Sequence, residues 1–213
     1  MKDVMIVIGA GQISMAIARR TGSSKKIILG DKNMKNCEAI ARIMRDAGFD
    51  VEPFEMDLSS RESIKAMIAK AQEFGEIKYL VNGAGVSPSQ ASIETILKVD
   101  LYGTAVLLEE VGKVIARGGA GVTISSQSSW RMPQLTPEQD RQLATTPTEE
   151  LLGLEILKPE NIKDTALGAA ESVHAVLFKG LIQQTAGEVF DLGNKETASM
   201  LHKTASCSLA TPL

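Results

Sequence analysis

One segment constrains the fold more than any other. Val4 to Ile8 is a short run of apolar, mostly β-branched residues, long enough for one buried strand. Gly9-Ala10-Gly11-Gln12-Ile13-Ser14 follows at once, and a helical pattern with Ile13, Ala16 and Ile17 on one expected apolar face follows that. A second apolar run, Ile27-Ile28-Leu29, ends at Asp31. Strand, glycine turn, helix, strand and acid in this order make a βαβ unit with a parallel pair of strands.

The same segment has a chemical reading. Gly9 fits a tight turn that a side chain would hinder, and Gly11 lets backbone approach a phosphate. The helix behind them aims its first N–H groups and the positive end of its dipole at that phosphate. Asp31 stands about 20 residues after Gly11, the spacing of an acid that hydrogen-bonds the ribose 2′-OH of a dinucleotide. A carboxylate there repels a 2′-phosphate, so NAD is favoured, while Lys32, Arg19 and Arg20 leave NADP open. Ser14 occupies the third glycine position, where a small residue allows helix and strand to pack closely. Asp31 also has a competing reading, as N-cap of the next helix.

Alternation of strands and helices continues. A helix is expected over 33–47, with Cys37, Ile40, Ala41 and Met44 inward and Gly48 just past its end. Val51 to Met56 reads as a strand, edge-like because of Pro53. Ser59-x-x-Glu62 has the form of a capping box opening a helix over 60–74 with Ile64, Met67, Ile68 and Ala71 on one face. Ile77 to Val81 and Ala120 to Ser125 read as further strands, separated by a long helix over about 91–117. The fold class is therefore α/β: a doubly wound, Rossmann-like parallel sheet in three layers, α/β/α. Residues 131–160, with four prolines, read as an excursion of loops and short helices, near 137–144 and 148–154, in the manner of a lid or a plain surface insertion. A helix over 161–183 and a strand over 188–192 complete one domain, 1–193, and 194–213 reads as a tail.

Composition narrows the function. The 213 residues carry a net charge of −3 and no basic cluster larger than Lys25-Lys26 or Arg19-Arg20, which argues against a nucleic-acid partner. No apolar run approaches the ~20 residues of a membrane span. Cys37 and Cys207 lie far apart, and His174 and His202 have no ligand-like companions, so no metal site is expected. A reducing, cytoplasmic setting fits this cysteine usage.

Further motifs in order carry a resemblance. They are Met56-Asp57-Leu58, Asn82-Gly83-Ala84-Gly85, Val99-Asp100-Leu101-Tyr102-Gly103-Thr104 and Ile124-Ser125-Ser126. With the glycine loop they resemble the short-chain dehydrogenase/reductase family over about 3–130, and more weakly over 164–193, where Thr185 to Gly193 is similar to its last strand. The resemblance implies a cofactor site of Gly9, Gly11, Gln12, Ile13, Ser14, Asp31, Asp57, Leu58, Asn82, Gly83, Ala84 and Gly85. It places Asp57 and Leu58 against the adenine and Asn82 to Gly85 beside the nicotinamide ribose. It makes Ser126 the residue that positions a carbonyl or alcohol oxygen, and it puts Asp100 where the family has a proton-relay Asn.

The family's Tyr-x-x-x-Lys pair has no counterpart. Tyr79 is followed at +4 by Gly83 and Tyr102 by Val106, and the chain has two tyrosines in all. Between Ser126 and Glu188 it is one strand–helix unit shorter than the family. The expected function is an NAD(P)-dependent oxidoreductase acting on a small carbonyl or alcohol. A dinucleotide-binding protein without turnover (a sensor, scaffold or shortened member) is the alternative, and a non-redox reaction with Asp100 as base is a third reading. The apolar residues of 91–117 fit the sheet or a second copy of the chain, so a homo-oligomer is left open.

Overall fold

The computed structural model describes residues 2–87, 89–124, 135–158 and 161–162. Among these residues five parallel strands form a sheet: β1 (Lys2–Ile8), β2 (Lys26–Asp31), β3 (Asp50–Glu55), β4 (Gly75–Asn82) and β5 (Ala120–Thr123), in the order β3-β2-β1-β4-β5. The order reverses at β1, whose C-terminal end opens the crevice in which doubly wound sheets bind ligands. Register aligns that rim, because Ile8 pairs with Gly30 and with Asn82, and Asn82 with Thr123.

Strand alternation divides the core in two. Met5, Val7, Ile27, Leu29, Val51 and Val81 face α1 (Gln12–Thr21) and α2 (Met34–Asp46). Val4, Ile6, Ile8, Ile28, Ile77 and Leu80 face α3 (Arg61–Gln72) and α5 (Thr104–Gly112). Ile77 and Leu80 share a face despite odd spacing because the β1–β4 register shifts between Val4 and Met5, which skips Lys78. This is the three-layer arrangement expected of the sequence. Pro53 lies on β3, at the end of the strand order, where a missing N–H does least harm.

Several elements differ from expectation in detail. The buried face of α1 is Ser14, Met15 and Ala18, whereas Ile13 is 58% exposed and Ala16 and Ile17 are half-buried. The helix is rotated because its first turn packs on the Asn82–Gly85 turn instead of presenting Ile13 to the sheet. The cap of α3 is Ser60, not Ser59: its hydroxyl accepts from the Ser63 N–H, and Ser59 is drawn to Asp57. The C-terminus of α2 closes with Gly48 at φ +90°, Gly48 N–H to Arg45 O and Phe49 N–H to Met44 O, the paired bonds of a Schellman motif.

The long helix is interrupted. α4 (Ile93–Ile96) passes into a π-helical segment, Leu97–Gly103, before α5, and α5 ends at Gly112 instead of 117. A π-turn inserts one residue per turn and is common at functional sites. Here it contains Asp100.

The 131–160 excursion is packed where it is described. α6 (Pro137–Thr145) opens with a capping box of Thr136 and Gln139. The expected helix near 148–154 is instead 3₁₀, Thr148–Gly153, followed by a second 3₁₀ turn, Glu155–Leu157. Leu143, Leu151 and Leu157 are buried in the same cluster as Leu97, Leu101 and Leu108. The helix expected over 161–183, apart from the turn at 161–162, lies outside the described residues, as do the strand over 188–192 and the tail. No described helix is long and apolar enough to cross a membrane.

Candidate active site at the strand rim

Gly9 adopts φ +87°, a left-handed conformation, and a Cβ built on it would lie 2.8 Å from the Ala84 backbone nitrogen. The turn therefore needs glycine twice over, for conformation and for space. Gly11 differs. It is extended, at φ −89° and ψ 172°, it caps α1 without a side-chain hydrogen bond, and a Cβ on it meets nothing within 4 Å. Open space in front of an uncapped helix N-terminus is what an approaching phosphate requires. Gln12 and Ile13 are exposed on either side of that opening, and Ser14 is buried behind it.

Asp31 closes the loop from the β2 side. Its Oδ2 accepts the Ala10 N–H at 2.7 Å and its Oδ1 accepts the Asn33 N–H at 2.8 Å. It does not cap α2; Asn33 does, through the Asn36 N–H. Beside it, Lys32 reaches across to Asp57 at 2.8 Å. Asp57 Oδ1 also accepts the Ser59 N–H and hydroxyl, at 2.9 and 2.7 Å. Burial pushes the Asp57 carboxyl up, but the Lys32 ammonium and the two Ser59 bonds outweigh it and hold the group at about 2. Leu58 is buried, and its carbonyl oxygen would lie 2.3 Å from a Cβ on Gly103. Gly103 in the Val99–Thr104 motif is thus what lets the helix approach β3's end.

The Asn82–Gly85 turn forms the opposite wall. Asn82 is fully buried; its Nδ2 donates to Thr104 Oγ1 at 3.3 Å, and its Oδ1 is buried without a partner. Gly83 N–H donates to the Ile8 carbonyl at 3.0 Å, which ties the turn to β1. Asp100 is 7% exposed, and its Oδ1 accepts the Val86 N–H at 2.9 Å and lies 3.3 Å from a Cβ built on Gly85. The carboxylate at this position thus anchors the turn. Ser126 lies outside the described residues.

Gly9, Gly11, Asp31, Asn82, Gly83, Ala84, Gly85 and Asp100 therefore share one rim, with Asp57 and Leu58 one strand further out. A family model described as short chain dehydrogenase matches residues 3–136. The chain belongs to that family. Short-chain dehydrogenase/reductase bsc3 of Alternaria brassicicola is 39% identical over 179 residues, covering 82% of this chain and 65% of its own length. Carbonyl reductase [NADPH] 1 of Rattus norvegicus is 27% identical over 168 residues, covering 72% of this chain and 60% of its own. Among solved structures, menthone neomenthol reductase from Mentha piperita superposes with a TM-score of 0.69 at 16% identity, over 88% of this chain and 86% of that one. At that identity the likeness is one of fold. The chain spans about half to two thirds of the length of these curated relatives.

Within this short-chain dehydrogenase/reductase rim, two features escaped the sequence. The π-turn that sets Asp100 against the 85–86 backbone has no signature in residue type. The second is a charge cluster on the far side of the same helix. Arg61 pairs with Glu109, Glu110 and Glu149, and the Tyr102 hydroxyl donates to Glu149. Ser59, Ser60, Lys98, Tyr102 and Glu149 line an open cleft there. Its members come from α3, the π-segment, α5 and the 3₁₀ turn, so no local pattern joins them. Among the described residues, no group of three His, Cys, Asp or Glu is placed to hold a metal ion.

Proposed function

We propose that this chain binds NAD in the β1–β4 crevice and serves a carbonyl/alcohol oxidoreductase, with the rim residues as its nucleotide site. The observation that carries the reading is the opening at Gly11: extended backbone facing free space, in front of an uncapped α1. Gly9 and Ala10 fix that loop, and Gln12 and Ile13 supply the next N–H groups of the helix. Asn82 Oδ1 is a buried acceptor without a donor beside the turn that would meet the nicotinamide ribose.

NAD is favoured over NADP for a specific reason. Asp31 is held at the loop by two N–H groups, and Lys32, its neighbour in the chain, is paired with Asp57. A 2′-phosphate would meet the first and lack the second. Asp57 and Leu58 would border the adenine.

Bound NAD supplies hydride transfer at its nicotinamide ring. The chain's part is to bind and orient the substrate oxygen, and Ser126 is the candidate for that. Asp100 holds the 85–86 turn in place. The oxygen must exchange a proton, and neither tyrosine has a lysine four residues on, so water at the crevice is the proposed proton source. The reading takes a small organic substrate, a single domain over 1–193, and a reducing cytoplasm in which Cys37, a buried free thiol, stays reduced.

The test is calorimetric titration with NADH and NADPH, followed by turnover on a panel of ketones and alcohols. Binding of NADH with turnover that Ser126→Ala abolishes supports the reading. Binding without turnover favours the alternative, a dinucleotide-binding member without catalysis. Absence of binding overturns both.

A further inference from the structure

Ser14 and Gly83, on the two walls of the crevice, pack against each other. Ser14 stands at the third position of the GxGxxG spacing, and Gly83 stands second in the Asn82–Gly85 turn. Ser14 is 1% exposed. Its Oγ lies 3.4 Å from the Ile8 carbonyl, the same oxygen that accepts the Gly83 N–H at 3.0 Å. A Cβ built on Gly83 would fall 2.2 Å from Ser14 Oγ; the next nearest atoms are Ser14 Cβ at 3.4 Å and Ile124 Cγ1 at 3.6 Å. Gly83 does not adopt a left-handed φ. Its φ therefore does not call for glycine, and the one atom that a Cβ there would crowd is the Ser14 hydroxyl. Gly9 is the contrasting case, because the obstacle to its Cβ is the Ala84 backbone, which no side-chain change removes.

We infer that Ser14, packed against Gly83, is a positioning residue for the dinucleotide. Its hydroxyl fills the seam between the two walls of the crevice. One wall, Gly9 to Ile13, would hold the pyrophosphate; the other, Asn82 to Gly85, would lie beside the nicotinamide ribose. The seam sets their separation, and that separation must match the span of the bound cofactor. Ser14 acts through the walls and does not touch the ligand. This inference rests on the NAD reading above.

The experiment is a double-mutant cycle on the full chain: unmodified, Ser14→Gly, Gly83→Asn and the double variant, each measured for NADH affinity by calorimetry and for melting temperature. Contacting residues couple strongly enough to make single losses non-multiplicative. Gly83→Asn is expected to weaken NADH binding about tenfold or more, and the double variant to return to within about threefold of the unmodified chain. Should Gly83→Asn fail to fold, Gly83→Ala, which adds the one clashing carbon, replaces it in both backgrounds. Gly9→Ala serves as a control that Ser14→Gly does not rescue. Affinity losses that simply multiply overturn the inference, as does coupling in melting temperature with none in affinity, which would reduce the pair to packing. No heat from the unmodified chain overturns the NAD reading and the positioning role together, and is told apart from the other failures by that first titration.

Discussion

Asp31 Oδ2 accepts the N–H of Ala10 at 2.7 Å, so the acid that ends β2 also braces the glycine loop that follows β1. One carboxylate thus fixes the shape of the loop and, on the proposed NAD reading, would present charge to the ribose. Asp31→Ala should therefore lose twice. A charge-assisted hydrogen bond contributes about 1.5–3 kcal/mol, and that loss should appear in unfolding. NADH affinity should fall about tenfold or more while NADPH affinity falls less. Titration of the variant with both cofactors checks this, and an unchanged NADH/NADPH ratio contradicts it.

Lys32 is the complementary lever. It is paired with Asp57 at 2.8 Å. Asp57→Asn weakens that pairing and leaves the ammonium available to a 2′-phosphate, so NADPH binding should strengthen relative to NADH. Lys32→Ala should leave the NADH/NADPH ratio where it is. Competition between the two cofactors in each variant measures the effect.

Acid should destabilise the fold in a defined window. Arg61 beside Glu109 holds that carboxyl at about 2, and Asp57 also lies at about 2. Both values are depressed from ordinary ones of 4.5 and 3.8. The stability they contribute is fully present above the ordinary values and is lost as pH falls through the folded ones. Chemical denaturation across pH 5 to 2 should show a decline that Asp57→Asn and Glu109→Gln each reduce. An unchanged slope in both variants contradicts the assignment. The effect is modest because both groups are over a third exposed.

The 148–157 segment is held mainly by its leucines. Leu151 is 2% exposed, and truncating a buried leucine costs about 2–5 kcal/mol. Glu149 is 63% exposed at its side chain, and exposed ion pairs contribute about 0–1 kcal/mol. Leu151→Ala should thus lower the melting temperature clearly and Glu149→Gln barely, with the latter difference vanishing at high salt. A larger loss from Glu149→Gln would make the Arg61 cluster the dominant restraint.

Much of the fold could be read from residue order. The alternation of apolar runs with 3.6-period faces located all five described strands, and Pro53 marked β3 as edge-like. Boundaries moved where a side chain had two partners to choose from: Ser59 went to Asp57, leaving Ser60 to cap α3. Ile13 has the period of a buried face, yet Ser14 takes the inward position against the Asn82–Gly85 turn and Ile13 faces outward. At the rim, the order of strand, glycine turn, helix, strand and acid puts Asp31 at the end of β2, and there its carboxylate bonds to the Ala10 N–H. The partners of Asp100, Asn82 and Ser14 were not legible in that order, since each lies on a different element and pairs only through the tertiary fold. The Lys32–Asp57 pair joins neighbouring strand ends and is invisible to any local pattern.

The central claim is that an anion docks on the open backbone at Gly11. A Cβ there meets nothing within 4 Å, and φ −89° and ψ 172° suit a β-branched residue. Gly11→Val should therefore lower the melting temperature by only a few degrees, the cost of a poorer N-cap, and place its methyl groups where the pyrophosphate would lie. Calorimetric titration with NADH should give clear heat for the unmodified chain and none for Gly11→Val. Equal affinity in the two chains would contradict the account.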